Sequence, residues 1–95
     1  MSQTLSLDAV LDLKAAAPLK AALLEHKGQP LSLDASGVER LGGLCLQVLL
    51  AAKKTWAEDN CPLAIAPRSA AFDEALTLFG AHERFDENQM AEGAQ

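Results

Sequence analysis

The sequence predicts a small α/β fold in which short strands alternate with helices around one hydrophobic core. Segments with the two-residue period of strands alternate with segments of helical period, and proline, glycine and short polar clusters separate them. The length of 95 residues suits a single core. Strands that alternate with helices build a parallel or mixed sheet, so we expect about four strands with about three helices packed mainly on one face.

The first elements are a short strand region and a helix. Residues 4–10 alternate loosely between apolar and polar types, which predicts one strand or a pair of strands. Its inward-facing residues are Leu5, Leu7 and, as a further candidate, Val10. Residues 13–26 have helical spacing, with Asp12 as N-cap and Gly28 as the stop. Because proline fits only the first turn of a helix, Pro18 predicts that the regular helix begins within residues 15–18.

The middle of the chain carries the clearest pattern. Residues 31–35 alternate and predict a strand with Leu31, Leu33 and Ala35 on one face, ended by Ser36 and Gly37. Residues 43–58 predict the longest helix. Its apolar face contains Leu46, Leu49, Leu50, Ala52 and Trp56, and its polar face contains Gln47, Lys54 and Glu58.

The last elements are a strand and a helix. Residues 63–66 predict a short strand that Pro67 closes. Ser69 is placed to cap a final helix, which Gly80 ends. The apolar residues of this helix are Phe72, Ala75, Leu76 and Phe79. We expect residues 1–85 to form the single domain and residues 86–95, which lack periodicity, to form a frayed acidic tail.

Composition and charge exclude several classes of function. The net charge of −5 repels nucleic-acid backbones and anionic membranes, so neither is an expected partner. Two cysteines are too few for a disulfide framework, which favours a reducing compartment. No apolar stretch is long enough to span a membrane, and the first residues do not resemble a secretory signal. We therefore expect a cytoplasmic protein without membrane insertion.

Residues that could carry chemistry are few and dispersed. His26 and His82 lie 56 positions apart, and the cysteines form neither a redox motif nor a zinc motif. Cys45, in the first turn of the long helix, is predicted to be a core residue rather than an activated thiol. Gly42 and Gly43 precede that helix without a phosphate-binding motif, which leaves weak nucleotide binding as an alternative. We expect no enzyme, no metal and no cofactor.

The order of elements, together with the segment LDASGVERLGGLCLQVLLAA at residues 33–52, resembles the STAS family, the anti-sigma-factor antagonists and their relatives in bacterial signal transduction. In that family a strand ending in Asp-hydrophobic-Ser-x-Val leads through a loop into a long helix. Asp34, Ser36, Gly37 and Val38 match this pattern. The resemblance covers residues 5–85 and implies the STAS fold.

The resemblance also locates a functional position. Regulated members carry a Ser or Thr phosphoacceptor where the long helix begins, and the alignment places Leu44 there, with Gly42 and Gly43 before it. Leucine has no hydroxyl to receive a phosphate. Two structural alternatives remain for Leu44: an outward contact patch on the side of Gln47, or a side chain folded over the sheet edge. The first predicts a partner interface at Gly42, Gly43, Leu44, Gln47, Val48 and Ala51.

The segment VERLGG at residues 38–43 resembles STAS proteins encoded with chemotaxis kinases and response regulators. This resemblance implies a non-enzymatic module that binds a histidine-kinase-type or other chemotaxis signalling protein and modulates its phosphorelay. The alternative within the family is an accessory subunit that docks on the ATPase of a phospholipid transporter. The sequence leaves the partner's identity, the sign of the effect and any homo-oligomer open.

Overall fold

The computed structural model describes residues 3–81 and confirms the α/β class. The elements in chain order are β1 (Gln3–Ser6), β2 (Val10–Leu11), a 3₁₀ turn (Leu13–Ala15), α1 (Ala16–Leu24), β3 (Leu31–Ala35), β4 (Arg40–Leu41), α2 (Gly43–Glu58), β5 (Leu63–Arg68) and α3 (Ala70–Leu78). The predicted tail at residues 86–95 lies outside the described residues.

The strands form two small parallel sheets. β1, β3 and β5 make a three-stranded sheet with β3 in the centre, where Leu33 lies opposite Leu5 on one side and Ile65 on the other. β2 and β4 make a two-stranded sheet. The expected count of about four strands becomes five, because strands of two residues are too short to show a period in the sequence.

The core is mainly aliphatic, in keeping with an aromatic content of 4%. The alternate residues Leu31, Leu33 and Ala35 of β3 are buried, and they share one hydrophobic cluster with the inner faces of the helices. Phe72 and Trp56 are the aromatic residues among the buried ones. No polar or charged residue of the described chain is fully buried, so the core is stabilised by packing rather than by internal polar networks.

The helices form largely where the sequence predicts them. α2 has the predicted bounds, Gly43–Glu58. Pro18 lies in the first turn of α1. Asp12 caps the 3₁₀ turn rather than α1: it accepts hydrogen bonds from the N–H groups of Lys14 and Ala15 at 3.1 and 3.2 Å, and the N-cap of α1 is Ala15. α1 ends at Leu24 rather than at residue 26, because the chain leaves the helix through turns that reach Gly28, whose φ is +84°.

Three local predictions are wrong. Val10 is 43% exposed, because the chain turns after Leu7 and begins a separate strand that buries Leu11 instead. Pro67 does not close β5, which continues to Arg68. β5 is an edge strand, where a residue without an N–H is tolerated. Phe79 is 50% exposed, because α3 has already ended at Leu78.

Candidate partner-binding site

The end of β3 is fixed by polar contacts of the residues that carry the STAS pattern. The Asp34 carboxylate accepts hydrogen bonds from the Ser36 N–H at 2.9 Å and from the Ser36 hydroxyl at 2.6 Å. These hydrogen bonds hold the pKa of Asp34 below its usual value. The Leu7 N–H donates to the Asp34 carbonyl at 2.9 Å. The turn that follows β3 is therefore tied to its own strand and to the chain after β1.

The two-stranded sheet then positions the start of α2. β4 pairs with β2, and the Gly42 N–H donates to the Leu11 carbonyl at 2.8 Å. Gly42 is the N-cap of α2, where no side chain caps the helix and no acidic residue occupies the first turn. The Cys45 thiol donates to the Asp12 carbonyl at 3.3 Å. The N-terminus of α2 is thus anchored to the chain segment between β2 and α1.

Cys45 belongs to the core, as predicted. Its relative exposure is 0%, and burial raises the pKa of the thiol, an effect to which the negative charge of Asp12 adds. A thiol that stays protonated is a poor nucleophile. The geometry therefore gives Cys45 a packing role at the base of α2.

Leu44 lies on the outside of the molecule. Its side chain is 47% exposed, and the preceding Gly43 is also exposed. The Phe79 ring lies beside this turn: a methyl group built on Gly43 would lie 3.7 Å from Phe79 Cε1. Of the two alternatives for Leu44, this placement agrees with the outward one. Its role in binding stays a prediction, as it does for the other five interface residues.

A groove between α1 and α2 extends the exposed surface at Leu44. Its volume is about 300 Å³. The α2 wall contains Leu44, Gln47, Val48, Ala51 and Thr55. The α1 wall contains Lys20 and Leu24, while Leu23 and Trp56 are buried beneath them. Four of the six predicted interface residues line this groove, and Gly42 and Gly43 stand at its end, where α2 begins.

Sequence reasoning missed the α1 wall of this groove. Lys20 and Leu24 lie four positions apart and therefore share one face of α1, and Leu24 is 55% exposed. The sequence shows only that Leu24 follows the buried Leu23 directly and so points to a different side of α1. The groove depends on α1 packing beside α2, however. Hydrophobic periodicity shows which face of a helix is buried but not which helix lies next to it.

The described residues offer little for catalysis or metal binding. Within residues 3–81 no group of three or more His, Cys, Asp or Glu residues could hold a metal ion. His26 is half-buried in the turn after α1, and His82 lies outside the described residues. A further cavity of about 350 Å³ lies beside Lys53, Asn60 and Cys61 at the other end of α2. No helix of the described chain is long and apolar enough to cross a membrane.

Comparison with known proteins identifies the family. The family described as "Mlab, STAS domain" matches residues 1–90, which is nearly the whole chain. The chain therefore belongs to the STAS domain family, whose members are generally binding and regulatory modules rather than enzymes. No curated protein and no solved structure matches the chain.

Proposed function

We propose that this STAS domain is a non-enzymatic cytoplasmic module that binds a histidine-kinase-type or chemotaxis signalling protein and modulates its phosphorelay. The contact surface consists of Gly42, Gly43, Leu44, Gln47, Val48 and Ala51. The observation that carries the proposal is the exposed apolar side chain of Leu44 at the start of α2. An apolar side chain at the place where regulated relatives carry a phosphoacceptor favours constitutive contact over a phosphorylation switch.

The side chain at position 44 decides between constitutive contact and a phosphorylation switch. Phosphorylation adds about two negative charges, and at a helix N-terminus those charges alter both the helix and any docked partner. Leu44 has no hydroxyl, so phosphorylation at this position cannot change the apolar character of the contact.

A second candidate partner is the ATPase of a phospholipid transporter. The matching family description names Mlab beside the STAS domain, and the accessory-subunit role is the alternative that the resemblance to STAS proteins implies. Both candidates use a protein contact rather than catalysis, and both can use the surface around Leu44. The captured partner therefore decides between them.

The test is a pull-down from the native lysate with the wild-type chain and with Leu44→Asp, followed by mass spectrometry. Aspartate in the first turn of α2 interacts favourably with the helix dipole, by about 0.3–1 kcal/mol, which offsets the apolar contacts that Leu44 loses. The variant should therefore fold, which a circular dichroism melt checks. Leu78→Asp is the control for replacing an exposed leucine by aspartate, because Leu78 lies on α3, outside the proposed surface. Leu78 is the last residue of α3, where aspartate interacts unfavourably with the helix dipole, so the melt of this variant is measured as well.

A signalling kinase or chemotaxis protein that binds the wild type and Leu78→Asp, and that Leu44→Asp loses, supports the proposal. A transporter ATPase with the same dependence supports the second candidate instead. If no protein depends on Leu44, the surface is assigned wrongly. A nucleotide-dependent rise in Tm of the purified chain would favour the nucleotide-binding alternative.

A further inference from the structure

The α2 wall of the groove between α1 and α2 is a stripe of residues with helical spacing. It contains Leu44, Val48, Ala51 and Thr55, with spacings of four, three and four residues. At a rise of 1.5 Å per residue this stripe is about 17 Å long, which equals about three turns of a second helix lying alongside. Leu24, exposed on α1, forms the opposite apolar rim.

The walls of the groove restrict the conformation of what it can bind. Both walls are helices, and backbone groups inside a helix are bonded to one another rather than to a ligand. Beyond the first turn of α2, the groove therefore presents side chains only. An extended peptide would leave its own N–H and C=O groups unpaired against an apolar surface, which is costly. A helix satisfies its backbone internally and can bury an apolar face there.

The charge of the groove restricts the occupant further. Lys20 is the charged residue among those that line it, and within residues 3–81 its ammonium group makes no ion pair. A cation at the rim of an apolar groove is complementary to a carboxylate that flanks an apolar stripe. The requirement is local, for one carboxylate beside the apolar stripe, because the whole chain carries a charge of −5 and its long-range field favours peptides of positive net charge.

We infer that this groove binds an amphipathic helix of the partner protein, with its apolar face against Leu24, Val48 and Ala51 and a carboxylate paired with Lys20. The inference rests on the proposed function, since it specifies which part of a protein partner docks here. It extends the contact surface from the start of α2 to α1.

The experiment uses a displayed library of peptides of about 18 residues, long enough for the three helical turns of the groove and their ends. The library is randomised over apolar, acidic, basic and neutral polar residues, so that the test does not depend on one chosen peptide sequence. It is selected against the full chain alone, and the selected peptides are then tested against Ala51→Glu, which places a charge on the exposed α2 wall. Fluorescence anisotropy then gives the Kd of each selected peptide for the variants.

We expect selected peptides to have apolar residues at spacings of three and four, with an acidic residue beside them. Lys20→Glu should raise their Kd about fivefold or more, the usual scale for a close charge pair. Changing the peptide's acidic residue to lysine should restore binding to Lys20→Glu. Lys54→Glu makes the same charge change on the exposed part of α2 outside the groove and should leave the Kd within about twofold.

Peptides without helical spacing, binding that Ala51→Glu leaves unchanged, or a library without binders would overturn the groove inference. An equal effect of Lys20→Glu and Lys54→Glu would overturn the carboxylate pairing. If helices bind but no signalling protein is captured through Leu44, the proposed function fails and the groove stands. If a Leu44-dependent signalling protein is captured but no helix binds, the groove inference alone fails.

Discussion

The Ser69 hydroxyl donates a hydrogen bond to the carbonyl oxygen of Val38 and accepts one from the Phe72 N–H at 3.0 Å. One side chain thus caps α3 and holds the loop that leads from β3 to β4. The Ser69 N–H also donates to the Ala35 carbonyl at 3.1 Å, so the end of β5 and the end of β3 are joined at this residue.

Ser69→Ala should lower the free energy of unfolding by about 1–2 kcal/mol, because it removes an N-cap and leaves the Val38 carbonyl unpaired. Urea denaturation followed by circular dichroism measures the change. Ser69→Thr keeps the hydroxyl and should recover most of the loss. A loss below about 0.5 kcal/mol for Ser69→Ala, the range of ordinary surface substitutions, would contradict this role.

The two cysteines should differ sharply in reactivity. Cys45 is fully buried with a raised thiol pKa, whereas Cys61 is partly exposed. A thiol reagent such as Ellman's reagent should therefore modify Cys61 in the native protein and Cys45 only after unfolding.

Cys61→Ser is the control for this assignment. The native variant should show no fast-reacting thiol, and one thiol should appear in denaturant. Modification of Cys45 in the native variant at the rate of Cys61 in the wild type would show that the base of α2 opens readily, contrary to its packing in the core.

These residues also show what the sequence could predict. α2 was predicted with its bounds because its sixteen residues show helical periodicity over several turns. The Ser69 cap and the core position of Cys45 followed from local chemistry. β4 was not predicted, and the pair of strands offered for residues 4–10 did not include the bounds of β2, because two-residue strands carry no period and their pairing joins residues about 30 positions apart.

In the candidate site, too, some residues could be predicted from sequence spacing and others could not. Spacing alone placed Leu44 and Gln47 on one side of α2, since they are three positions apart. The α1 wall with Lys20 and the position of Phe79 beside Gly43 depend on how helices pack, which amphipathic patterns do not specify. The sequence therefore predicts residues on the α2 wall of the groove, whereas the α1 wall depends on tertiary packing.

The hydrogen bonds from Ser36 to Asp34 should make the turn after β3 sensitive to acid. They hold the pKa of Asp34 below its usual value of 3.8. A carboxyl group with a lowered pKa in the folded state contributes stability that is complete above the unfolded pKa and is lost as the pH falls through the folded pKa. Ser36→Ala removes the side-chain bond, so the pKa of Asp34 should rise toward 3.8.

Carboxyl ¹³C titration by NMR measures this pKa directly. Ser32→Ala, in the middle of β3, is the matched control and should leave the Asp34 titration unchanged. The stability difference between wild type and Ser36→Ala should be constant above about pH 5 and shrink as Asp34 becomes protonated. An Asp34 pKa that does not rise in Ser36→Ala would show that the backbone bond alone fixes the turn.

The two glycines before Leu44 should respond in opposite directions to alanine. A methyl group on Gly42 would lie 3.2 Å from the Leu11 carbonyl oxygen, a backbone atom held between β2 and the start of α2. Because that backbone cannot move without disturbing the sheet, Gly42→Ala should lower the free energy of unfolding by about 1–2 kcal/mol. Urea denaturation of both variants measures the contrast.

Gly43→Ala is the matched variant, one residue further along. Its methyl group would lie 3.7 Å from Phe79 Cε1, which is ordinary van der Waals contact, and alanine is a better helix residue than glycine. We expect its stability to be unchanged or to rise by up to about 1 kcal/mol. If Gly43→Ala is the more damaging of the two, the anchor of α2 lies at the Phe79 contact rather than at the Leu11 carbonyl. Equal losses would mean that the start of α2 tolerates a side chain at neither position.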